Sequence, residues 1–149
     1  MDFFLVRHGE AQAAYEDARR PLSARGRREV EKVARAAAAR KVRVAVIFHS
    51  GKLRAEETAE ILARFLAPPE GVRRSTGLQP EDDPLIAKAE LEAAAAPCML
   101  VGHLPHLGRL AALLAAGDSE KPVADFSPAT MVCLSRSGGA WNMDWTIVP

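Results

Sequence analysis

Three short apolar runs, "DFFLVRH" at 2–8, "VRVAVIFHS" at 42–50 and "CMLVGH" at 98–103, each carry a histidine at their end, and segments of helical periodicity lie between them. Strands joined through helix-length connections pair in parallel, because a hairpin turn is too short to return the chain to the same end of a sheet. In the first connection Val30, Val33, Ala34 and Ala37 fall at helical spacing, with Ser23 placed to cap the start. Residues 53–66 put Leu53, Ile61, Leu62, Phe65 and Leu66 near one face, and "APPEG" ends that helix. The segment 82–97 opens on Asp83 and Pro84, a good start because proline suits the first helical position. Leu107, Leu110, Ala111 and Leu114 line one side of a last helix that Gly117 stops. The pattern then changes to "TMVCLSR", "SGG" and "AWNMDWTIV", two strands around a glycine turn. The expected fold is a three-layer α/β/α sandwich with a mostly parallel central sheet and a C-terminal antiparallel hairpin.

Size and charge narrow the function. A chain of 149 residues suits one domain spanning 1–149, with roughly 70% of the unfolded surface buried. Its 20 basic and 19 acidic residues leave a net charge of +1, without the field of a nucleic-acid binder. Cys98 and Cys133 both lie in apolar stretches, where free cysteine packs as a small hydrophobe, so unpaired thiols are the simpler reading and a disulfide the alternative. The first apolar run breaks at Arg7 and His8, too early for a signal-peptide core, and nothing approaches a membrane span. A soluble cytoplasmic protein is expected, with no membrane or nucleic-acid partner and a monomeric state.

Ligands of parallel sheets bind at the carboxyl ends of the strands. Arg7 and His8, His49 and Ser50, and Gly102 and His103 all stand at such ends, so they should converge. Guanidinium forks bind phosphate oxygens in pairs. A neutral imidazole can attack phosphorus and split one hard displacement into two easier ones. Gly9 would spare the incoming group a crowding side chain.

"LVRHGEA" resembles the Arg-His-Gly signature of the histidine phosphatase superfamily, the phosphoglycerate-mutase-like enzymes. "RPLSARG" at 20–26 is similar to the Arg-Pro-Leu-Ser/Thr-x-x-Gly segment of its small SixA-type phosphohistidine phosphatases. "HSGKLRAEETAE" at 49–60 resembles their Ser-x-x-x-Arg-Ala-x-x-Thr motif, and "VGHLPHLGRL" at 101–110 their segment holding a second histidine. The resemblance implies a phosphoglycerate-mutase-like fold and a phosphatase acting through a phosphohistidine on His8. Arg7, Arg54 and His103 would hold the phosphoryl oxygens, with Arg20 and Gly9 as further substrate contacts, and neither cofactor nor metal would be needed. It also implies a phosphorylated protein or a small phosphorylated compound as substrate. A phosphatase of small phosphomonoesters and a non-catalytic phosphate-binding module stand as alternatives.

Two departures accompany the resemblance. Gly51 stands where the family often has proline. Larger members carry a glutamate general acid where this chain reads "TGLQPEDDP", leaving Glu81 and Asp82 as candidate acids and Asp83 better suited to capping a helix. His49 and His106 read as structural, with His106 near the rim, because a His-x-x-His pair spanning Pro105 makes a poor metal site.

Overall fold

The computed structural model describes residues 1–149. Strand β1 (Asp2–Arg7) leads to helix α1 (Ala24–Ala39), β2 (Val46–His49), α2 (Leu53–Leu66), β3 (Val72–Arg74) and α3 (Pro84–Ala93). Then come β4 (Cys98–Gly102), α4 (His106–Ala116), β5 (Met131–Ser137) and β6 (Ala140–Ile147). The sheet order is β3-β2-β4-β1-β5-β6. β1, β2, β3 and β4 run parallel, whereas β5 pairs antiparallel with β1 and with β6. The three-layer architecture and the C-terminal hairpin are as the periodicity predicts.

Alternation within the strands divides the core. Phe4 and Val6 of β1 and Met99 and Val101 of β4 pack with α1 and α2 on one face. Phe3, Leu5, Cys98 and Leu100 pack with α3 and α4 on the other. Each large side chain buried this way contributes about 1.5–3 kcal/mol. Cys133 belongs to the first face and Cys98 to the second, so the sheet separates two buried free thiols.

Local signals fix most helix ends. The Ser23 hydroxyl accepts the Gly26 amide at the start of α1, and the Asp83 carboxylate accepts the Leu85 amide at the start of α3. Gly117 closes α4 in the left-handed conformation. Three boundaries differ from expectation. The second strand is confined to Val46–His49, the stretch that pairs in register with β4 and, from Ile47 onward, with β3. α3 stops at Ala93 rather than running to 97, the backbone turning extended at Ala94 (ψ 132°) on its way to Pro97 and β4. β3 is not predicted at all: three residues are too few to show a period, and two of them are exposed arginines.

Candidate active site

The carboxyl end of β1 delivers Arg7 and His8 beside β4, where the His8 amide donates to the Gly102 carbonyl at 3.1 Å. The loop 117–130 closes over the same edge. The Ala129 amide reaches the Arg7 and His8 carbonyls, and Arg7 Nη1 donates to the Phe126 carbonyl at 2.8 Å. His8 Nδ1 lies 2.7 Å from the Gly9 carbonyl. A carbonyl only accepts, so Nδ1 carries the proton and Nε2 keeps its lone pair.

Gly9 has a different reason from the one the sequence suggests. A Cβ there would meet Val30 Cγ2 at 2.7 Å and the Gly26 carbonyl at 3.1 Å, so its absence lets α1 pack against the loop rather than clearing the incoming group. The Gly9 amide is committed to Thr58 Oγ1 at 3.1 Å, and that hydroxyl donates in turn to the Arg54 carbonyl at 2.8 Å. One threonine thereby joins the His8 loop to the first turn of α2. Gly26 is equally constrained, because a side chain there would land on the Glu10 carbonyl.

His103 follows β4, with its ring centroid 5.0 Å from that of His8. Its Nε2 lies 2.6 Å from Ser50 Oγ, which also accepts the Lys52 amide at 3.3 Å. Nε2 is the one acceptor in reach of the Ser50 hydroxyl, which assigns the Ser50 proton to that bond and the His103 proton to Nδ1. That Nδ1 is buried without a protein partner, as are Arg7 Nε and Arg54 Nε. Buried N–H donors are rarely left unpaired. Arg20, held with φ 50° and its Nε on the Gln12 carbonyl at 3.0 Å, adds its charge to both His8 and Arg54.

Burial pushes His8 down to about 4; the Gly9 carbonyl opposes the shift, and Arg54, Arg7 and Arg20 add to it. Burial likewise takes His103 to about 3, reinforced by His8, Arg54 and Lys52. Both rings are neutral near pH 7. Arg7 and Arg54 are lowered chiefly by burial, and none of Arg7, Arg20 and Arg54 pairs with a carboxylate within 4.0 Å. Unpaired cations around a neutral imidazole form a site for an anion.

The remaining candidates separate. His49 is buried and accepts the Gly51 amide at 3.0 Å, a structural contact. His106 is fully buried at the first turn of α4 rather than near the rim; it falls on the inward face of the helix with Leu107 and Leu110, while Arg109 faces solvent. Glu81 faces solvent beside Arg109 at 3.8 Å. The Asp82 carboxylate accepts the Gln79 amide at 2.9 Å, and Asp83 caps α3. None of the three is among the charges that act on His8. Sequence reasoning missed the linking role of Thr58, although its four-residue spacing from Arg54 places both at one side of a helix.

A mixed sheet that gathers neutral histidines and unpaired arginines at the carboxyl edge of its parallel strands is the architecture of an α/β enzyme with an anionic substrate. The family model described as "Histidine phosphatase superfamily (branch 1)" matches residues 3–79. "Phosphohistidine phosphatase SixA" of Escherichia coli (strain K12) is 31% identical over 154 residues, covering 100% of this chain and 94% of that protein. The chain belongs to the histidine phosphatase superfamily and is a hydrolase of the phosphatase class. A solved structure of the protein histidine phosphatase SixA complexed with tungstate superimposes with a TM-score of 0.87 at 29% identity, covering 99% of this chain and 97% of that one. The alpha-ribazole phosphatase from Shigella flexneri shares the fold, with a TM-score of 0.75 at 18% identity over 97% and 95% of the two chains.

Proposed function

We propose that this one-domain chain removes the phosphoryl group from phosphohistidine in proteins, through a covalent phosphohistidine on its own His8. The observation that carries the reading is the set of three buried, unpartnered donors, Arg7 Nε, Arg54 Nε and His103 Nδ1, around an imidazole whose Nε2 is unprotonated. In the first step the Nε2 lone pair forms a bond to phosphorus while the bond to the leaving nitrogen breaks, and that nitrogen takes a proton from solvent water. In the second, water attacks phosphorus and gives up a proton to solvent, the P–Nε2 bond breaks with its electron pair returning to His8, and inorganic phosphate departs. Arg7, Arg54 and His103 hold the phosphoryl oxygens throughout, with Arg20 behind them. Preorganised donors of this kind are each worth on the order of 10²–10³ in rate.

The similarity to SixA, a phosphohistidine phosphatase, supports the substrate class. The positions of Glu81 and Asp82 support it too, since neither carboxylate acts on His8 and a P–N bond needs less help from a general acid than an alkyl ester does. A panel of phosphohistidine, phosphoserine, phosphotyrosine and sugar phosphate tests the reading. Phosphohistidine should give the highest kcat/KM; a sugar phosphate or phosphoserine turned over as well would reject it in favour of a small-molecule phosphatase, and no turnover of any would leave a binding module.

A further inference from the structure

A cavity of about 350 Å³ adjoins the site on the side of His103, which it meets through Ser50. Its walls include Ser50, Arg74, Thr76, Gln79 and Asp82. Ser50 links this cavity to the site, because its hydroxyl lies 2.6 Å from His103 Nε2 while its carbonyl accepts the Gln79 Nε2 amide at 2.6 Å. Gln79 is in turn fixed through its amide by the Asp82 carboxylate at 2.9 Å. This wall is built rather than loose.

Arg74 is the cation of the cavity. It stands at the end of β3, paired in register with His49, and its side chain crosses Gly51. A Cβ on Gly51 would meet Arg74 Nε at 2.5 Å and Cζ at 2.9 Å, and Gly51 has φ +94°, a conformation side chains rarely adopt. The guanidinium therefore passes over Gly51, the one residue type that leaves room for it there. It makes no ion pair within 4.0 Å: the neighbouring Arg73 takes Glu70, and Asp82, the carboxylate lining the same cavity, is held by one oxygen on the Gln79 backbone amide and stays beyond 4.0 Å of the guanidinium.

We propose that this cavity receives the leaving side of the substrate, and that Arg74 binds a carboxylate carried next to the phosphorylated group. The proposal rests on the phosphatase reading and extends it: the buried cations bind the phosphoryl group common to every substrate, whereas Arg74 selects among leaving groups. On a phosphorylated protein the carboxylate is an aspartate or glutamate side chain flanking the phosphohistidine. On a small substrate it is a carboxylate of the leaving group.

Two phosphohistidine peptides that differ only in flanking Glu or Gln residues test the first source. Phenyl phosphate with and without a ring carboxylate tests the second, and 4-nitrophenyl phosphate reports the chemistry alone. The intact enzyme should show a KM roughly three- to fivefold lower for the carboxylate member of at least one pair, the range of a partly exposed ion pair. Arg74→Ala should abolish that preference, Arg74→Lys should keep part of it, and both should turn over 4-nitrophenyl phosphate at the unaltered rate. No preference in either pair, a preference that survives Arg74→Ala, or a loss of 4-nitrophenyl phosphate turnover in that variant would overturn the assignment of Arg74. Failure of the intact enzyme to hydrolyse any of these compounds would instead remove the phosphatase reading, and the subsite with it.

Discussion

Ser50 Oγ and His103 Nε2 lie 2.6 Å apart in a fully buried contact, and this pair decides which face of the second histidine is a donor. With the Lys52 amide on the Ser50 oxygen, the hydroxyl proton has Nε2 as its acceptor, which leaves the Nδ1 proton for an anion. Ser50→Ala should therefore blur the tautomer and cost about 1 kcal/mol, roughly fivefold in kcat/KM. Histidine ¹⁵N chemical shifts check the cause: His103 should read as the Nδ1–H form in the intact protein and as a mixture in the variant. An unchanged tautomer would detach Ser50 from the effect.

The positive charge of the site comes from its own side chains, and that sets a second expectation. Arg54→Lys keeps the charge but cannot reproduce a planar fork, so kcat/KM should fall by on the order of 10²-fold. The same logic makes turnover insensitive to EDTA. Inactivation by the chelator, reversed by one added metal, would contradict it.

The depressed histidines make the protein's stability depend on pH in a definite direction. Histidines in the unfolded chain titrate near 6.5, whereas His8 and His103 are held at about 4 and about 3 in the fold. Between pH 6.5 and 4 the unfolded chain binds protons that the native state refuses, so stability falls as pH falls through that window and is level above it. Urea unfolding at pH 7.5, 6 and 5 should show the decline, and His8→Ala should soften it. Bound phosphate should reverse the trend at His103, because a dianion favours the protonated ring.

The leaving group provides a fourth expectation. A general acid is worth ~10²–10⁴ on a poor leaving group. Glu81 is exposed and Asp82 is engaged with Gln79. Glu81→Gln and Asp82→Asn should barely change turnover of an aryl phosphate, and at most one should slow an alkyl phosphate. A severe loss in either variant on the aryl substrate would identify a working acid.

Much of this architecture can be read from the sequence because its signals are local. The apolar run from Phe3 to Val6, the cap at Ser23 and the stop at Gly117 act through neighbours within a few residues, and the convergence of the strand ends carrying Arg7, His8, His49, Ser50 and His103 follows from the general rule that parallel strands bind ligands at their carboxyl edge. What could not be read depends on distant approach. Gly9 and Gly26 are set by how closely α1 meets the His8 loop, β3 by pairing with β2, and the burial of His106 by the seating of α4. Thr58 is legible as a motif letter, but its bond to the Gly9 amide joins residues 49 positions apart.

The central claim is that His8 accepts the phosphoryl group, and trapping that intermediate tests it most directly. Enzyme quenched during turnover of ³²P-labelled substrate should carry label that is lost in acid and survives alkali, as a phosphoramidate does. The label should map to the peptide containing His8 and be absent from His8→Ala. Label on Ser50, or label that persists in His8→Ala, would contradict the account.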